Sequence, residues 1–133
     1  MRKTGLLGVV AGMLLSVAVP ALAHHAFSAE FDQSKPLKVS GEISKVEWVN
    51  PHAWIFIDVK GTDGKVTPWR FEMGAPNALL RAGWSKSDIK VGTAVTISGF
   101  QARSGGSVGN AFQVRLPDGR DLFAASSLKD AAK

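Results

Sequence analysis

The chain of 133 residues contains no cysteine. That excludes disulfide staples, thiolate chemistry, iron–sulfur clusters and Cys-ligated zinc, and leaves His, carboxylate, Met and backbone atoms to build any metal site. It has no run of like charges either. The formal net charge is +5, but the basic residues are dispersed, the pattern of a solvated surface rather than a nucleic-acid footprint. No Gly-x-Ser-x-Gly, His-Glu-x-x-His, Walker loop or Rossmann fingerprint occurs. Gly105-Gly106 lies in a Ser/Gly turn rather than between a strand and a helix, so it is not read as a phosphate cradle. Glu42, Glu47, Asp58 and Glu72 fall on expected strands, with nothing in their spacing to pair them. These absences favour a non-catalytic binding or accessory protein.

One long uncharged run is present, over residues 5–19. Arg2-Lys3 precede it, Pro20 breaks it, and Ala21-Leu22-Ala23 supply small residues before a cleavage point. A membrane-spanning helix needs ~20 apolar residues, so the run reads as the core of a signal peptide. The expectation is a cleavable leader over 1–23 and a periplasmic or secreted bacterial product beginning at His24, with no membrane span after cleavage. Arg2 and Lys3 leave with the leader, so the remaining 110 residues carry 14 basic against 11 acidic side chains, a net of +3. That length supports one modest core and not two.

The remainder patterns as β. Residues 24–36 are a mixed lead-in segment holding Phe27 and Phe31. From Leu37, apolar residues alternate with polar ones through Ile43, the period of a half-buried strand. A slip near Lys45 shifts the apolar set to Val46 and Trp48 and predicts a bulge. Asn50-Pro51 marks a turn, and further strands are expected over 52–60 and 66–73. Their register hinges on Gly61-Thr62-Asp63-Gly64. A three-residue loop with Gly64 at positive φ pairs Gly61 with Lys65 and buries Ile55, Ile57 and Val59 with Trp69, Phe71 and Met73. It leaves Arg70 and Glu72 outside, with Trp54 and Phe56 wholly or partly exposed beside His52. A two-residue Asp63-Gly64 turn would reverse every facing. The first is preferred because it keeps both charges out, and the alternative stays open on the sequence.

A short helix is expected over 76–81, with Pro in its first turn and Gly83 at its stop. Strands over 93–101 and 108–116 follow, then a brief Leu122-Phe123 segment. Three strands, a helix and two strands is the order of a five-stranded OB-like Greek-key barrel with its helix between strands three and four. The expected divisions are 1–23 leader, 24–36 lead-in, 37–124 barrel and 125–133 tail.

Two stretches carry a family resemblance: residues 24–32 (His-His-Ala-Phe-Ser-Ala-Glu-Phe-Asp), and Gly41-Glu42-Ile43 leading into residues 46–54 (Val-Glu-Trp-Val-Asn-Pro-His-Ala-Trp). The chain resembles small signal-bearing bacterial proteins classed as a domain of unknown function. That resemblance implies an envelope location and an OB-like barrel, and brings no activity or catalytic residue.

The three histidines, His24, His25 and His52, all stand in those stretches. Cleavage before His24 would let its α-amine and imidazole chelate one metal, and a further imidazole from His25 or His52 would complete a nitrogen-rich set that favours Cu(II). A copper-handling protein is therefore the first alternative function, and a terminal-histidine copper oxidoreductase the second. Glu30, Asp32 and Met73 are further possible ligands. The plain alternative is that the terminal histidines are unconstrained polar residues and that His52 holds the turn after Asn50. Trp48, Trp54 and Phe56, with Arg70, form a second candidate, an aromatic face suited to a sugar or a flat ligand. Packing of Trp48 and Trp54 over the barrel end or the lead-in is the competing reading. The partner expected is a small ligand or an envelope protein.

Overall fold

The computed structural model describes residues 27–125. The expected leader, His24, His25 and the chain from 126 onward lie outside the described residues. A helical turn at 27–30 leads into six strands and one helix. These are β1 (Phe31–Glu47), β2 (Trp54–Lys60), β3 (Val66–Glu72), α1 (Pro76–Arg81), β4 (Ala94–Ala102), β5 (Val108–Arg115) and β6 (Asp121–Phe123). The sheet order is β3-β2-β1-β4-β5-β6, antiparallel except for a second, parallel pairing of β3 with β5. That pairing brings the sheet round into a barrel-like ring, with β6 added outside it on β5. Among the described residues, no helix is long and apolar enough to cross a membrane.

The fold is mainly β, as expected, with the helix between β3 and β4. The strand count is corrected from five to six, because the Leu122-Phe123 segment pairs with Val114 and Gln113 of β5. Three residues are too few for an alternation to show. β1 begins at Phe31 rather than Leu37. Its start is hidden in the sequence by a register shift between Asp32 and Pro36, where Ser34 donates from its backbone N and its Oγ to Asp32 Oδ1. Only partnership with Ala102 and Gln101 of β4 makes Phe31 and Asp32 a strand. The bulge expected near Lys45 is present, between Ile43 and Lys45.

The β2–β3 hairpin adopts the three-residue loop. Gly61 N donates to Lys65 O at 2.8 Å, and Gly64 has φ 80°, a left-handed value at which a Cβ is strained. Ile55 therefore faces Phe71 and Ile57 faces Trp69, with Ile55, Ile57 and Phe71 fully buried. Fully burying one such side chain contributes roughly 1.5–3 kcal/mol. The core also takes in Ile43, Met73, Leu79, Trp84, Ile97 and Val114. Trp84 Nε1 donates to Phe123 O at 2.6 Å, tying the segment after α1 to β6.

Pro68 in β3 follows the same hydrogen-bond logic. Arg70 N donates away from β2, to Ser107 O. Pro68, two residues earlier, likewise turns its nitrogen away from β2, so the β2–β3 ladder loses no donor. At Gly99, opposite β5, the strands approach so closely that a Cβ would run into the Asn110 carbonyl oxygen.

Candidate functional site

Trp54 opens β2, and its ladder partner is Glu72, the last residue of β3. Two residues back along β3, Arg70 projects on the same face, with its guanidinium carbon 5.5 Å from the Trp54 ring centre. β4 ends at Ala102 and β5 begins at Val108, so the starts and ends of four strands meet at this end of the ring. The turn at 27–30 closes over it. Arg103 N donates to Glu30 O at 2.8 Å, and Arg103 Nε donates to Ser28 O at 2.6 Å. Phe31 is buried, and Phe27 packs against both Phe31 and Phe100. The result is a recess of about 320 Å³ with Glu30, Phe31, Trp54, Arg70, Arg103 and Val108 among its walls.

His52 stands beside this recess, in the turn that precedes β2 rather than in the strand itself. Its Nδ1 lies 2.7 Å from Glu72 Oε1. A neutral imidazole in that contact donates Nδ1–H to the carboxylate and keeps its Nε2 lone pair free. The His52 side chain is 41% exposed, whereas that of Glu72 is only 10% exposed. The expectation that both charges of β3 lie outside thus holds for Arg70 and is corrected for Glu72. Glu72 is nonetheless buried, opposite Asn110 of β5, itself buried. Burial pushes the Glu72 carboxyl above its ordinary value; the His52 charge opposes the shift and the nearby Glu30 charge adds to it. Glu30, from the lead-in, is therefore within electrostatic reach of the His52–Glu72 pair.

The remaining expected residues separate. Trp48 leaves the recess and packs edge-on against Trp84, with ring centres 6.4 Å apart, at the margin of the core. Phe56 lies two residues further along β2 from Trp54 with Lys45 Nζ over its ring at 5.3 Å. Met73 is fully buried in the core. Asp32 is engaged by Ser34, and the Ser34 hydrogen bonds hold its carboxyl below the usual range. Among the described residues, no group of three or more His, Asp or Glu side chains gathers as a metal site would require.

A larger cleft of about 730 Å³ lies elsewhere, lined by Glu42, Asp58, Lys60, Val66, Thr96 and Arg115 among others. Glu42 and Asp58 face each other across β1 and β2, four residues along β2 from Trp54. Among the described residues no aromatic side chain lines it, and its Arg115 is already bound by Asp121 through two hydrogen bonds. The smaller recess holds the more selective chemistry: a guanidinium without an ion-pair partner among the described residues, an indole and a carboxylate, on three separate elements.

Residues 11–111 match the profile of a Family of unknown function (DUF6152). The chain belongs to that family. The matched stretch spans β1 to β4 and contains every residue lining the recess, together with His52 and Glu72, while β6 falls beyond it. Comparison with curated proteins and with solved structures returns no match. The family thus supplies no activity, and the geometry of the recess is what bears on function.

Sequence reasoning missed Arg103 and the buried state of Glu72. Arg103 stands in a turn with no pattern to mark it, and its role comes from meeting residues 28–32, some 75 positions earlier. Glu72 looks solvent-facing in the alternation, and its burial depends on contacts distant in the chain, His52 among them.

Proposed function

We propose that the chain is an exported, non-catalytic binding module of the bacterial envelope, OB-like in its strand arrangement, with its ligand site in the recess between Trp54, Arg70 and Glu30. The parallel β3–β5 pair and the helix between β3 and β4 support the OB-like reading. The uncharged run over 5–19, ahead of small residues at 21–23, supports export. The observation that carries the binding reading is the Arg70 guanidinium held over the half-buried Trp54 at the mouth of a preformed hollow, without an ion-pair partner among the described residues.

A ligand screen by NMR tests it, following the Trp54 indole N–H, assigned through Trp54→Phe. Compounds that bind should move that signal and lose affinity in Arg70→Gln. A ligand that shifts residues of the larger cleft and leaves Trp54 unmoved would relocate the site.

His52 favours copper handling as a second reading. A metal-ligating histidine characteristically donates its other ring N–H to a carboxylate, which orients the ring and raises its basicity. His52 makes that contact with Glu72 through Nδ1, which leaves its other ring nitrogen to a metal. Further ligands would come from His24 and His25. Five residues lie between His24 and Glu30, a length of chain that spans at most ~20 Å. Titration with Cu(II), read by EPR, tests this on protein whose first residue is His24. His52→Ala should weaken binding at least tenfold, and affinity no better than that of a free His-His peptide overturns it.

A further inference from the structure

The charges around the recess are complementary to a small zwitterion. Arg103 also lines it, but its charge is already paired: Nε donates to Ser28 O, and one terminal nitrogen lies 3.8 Å from Asp32 Oδ2. Two charged side chains remain, Arg70 from β3 and Glu30 from the turn before β1. They are opposite in sign, and among the described residues neither makes an ion pair or a side-chain hydrogen bond. We propose that the recess binds a molecule of the α-amino-acid class, its carboxylate on Arg70 and its ammonium on Glu30. This rests on the recess being the ligand site.

Arg70 suits the carboxylate. A guanidinium offers two parallel N–H donors that match a carboxylate's two oxygens. Its position over the Trp54 ring limits its conformers before a ligand arrives, which lowers the entropy lost on binding. Glu30 suits the ammonium. The same carboxylate opposes a dianion such as phosphate or sulfate. Phe31, Ala102 and Val108 supply apolar surface for a short side chain. The volume of about 320 Å³ is near the lower end of the ~300–1,000 Å³ found for small-molecule sites, so one small molecule fits better than a polymer segment.

The test uses the exported protein, ¹⁵N-labelled, and reads the Trp54 indole N–H. Three probes are titrated: L-leucine, L-leucinamide, which lacks the carboxylate, and N-acetyl-L-leucine, which lacks the ammonium. L-leucine should saturate the signal, and each analogue should bind at least tenfold more weakly. Arg70→Gln should abolish the difference between leucine and leucinamide, and Glu30→Gln that between leucine and its acetylated form. Either analogue binding as tightly as leucine overturns the proposal, as does unchanged leucine affinity in both variants. The two levels fail separately. If a neutral sugar or an uncharged aromatic compound moves the Trp54 signal and leucine does not, the zwitterion falls and the recess stands as the ligand site. If nothing in the panel moves it, both fall.

Discussion

His52 Nδ1 stands 2.7 Å from Glu72 Oε1, joining the turn before β2 to the last residue of β3 across the end of the ring. The contact partly offsets the burial of a carboxylate with Asn110 beside it, and the offset is incomplete, since the Glu72 pKa is raised from its ordinary 4.5. A raised carboxylate pKa means the folded state binds more protons than the unfolded one between the two values. The Glu72 contribution to stability is therefore greatest below about pH 4.5 and declines as pH rises from there through the raised folded value. Glu72→Gln removes that proton uptake. Denaturant unfolding at several values between pH 4 and 7 should show the variant gaining on the wild type as pH rises, and a constant difference would refute the assignment.

Gly99 tests the strand contact between β4 and β5. Gly99→Ala places a methyl group against the Asn110 carbonyl, where backbone and not a flexible side chain must yield. The expected cost is about 1–3 kcal/mol, as for other overpacked interiors. Urea unfolding checks it, with Gly105→Ala unsuited as a control because Gly105 has its own positive φ. Ser107→Ala, in the same connection, should be near neutral.

Trp84 tests the link between the α1 segment and β6. Trp84→Phe retains most of the buried ring but leaves the Phe123 carbonyl without its indole donor. An unpaired acceptor costs roughly 1–3 kcal/mol when fully buried, and the part-buried Phe123 carbonyl should cost about 1 kcal/mol. Amide exchange should accelerate at Leu122 and Ala124 more than at Ile55 or Ile57, which lie across the ring.

Arg103 tests how the lead-in is held. Arg103→Ala keeps the backbone bond to Glu30 but removes the side-chain bond to Ser28 O. Its guanidinium is half exposed, so a loss of only about 1 kcal/mol is expected, equivalent to roughly fivefold more frequent local opening. Limited proteolysis near Phe27 and Phe31 should speed up by that factor while global stability changes little. An unchanged cleavage rate would mean the aromatic cluster of Phe27, Phe31 and Phe100 holds the segment without help.

Local rules reached far into this fold. The alternation from Leu37 to Ile43, the slip at Lys45 and the loop ending in Gly64 are each settled by neighbours a few residues away, and the structure agrees at all three. Half of the candidate site was legible for the same reason: hairpin register alone sends Trp54, Arg70 and Glu72 to one face. The other half was not. Whether Trp48 joins that face or packs on Trp84 depends on a segment 36 residues later, and no spacing in the sequence encodes it.

What the sequence by itself determined is the strand pattern and the side-chain facing of the β2–β3 hairpin, because a period of two and a glycine at positive φ act within one hairpin. The tertiary structure alone decided that Glu72 is buried, that His52 is its partner and that Glu30 and Arg103 close the recess. Those outcomes depend on β5 returning parallel to β3 and on residues 28–32 meeting Arg103. Contacts across such separations follow from how the ring closes, and no local pattern in the chain carries them.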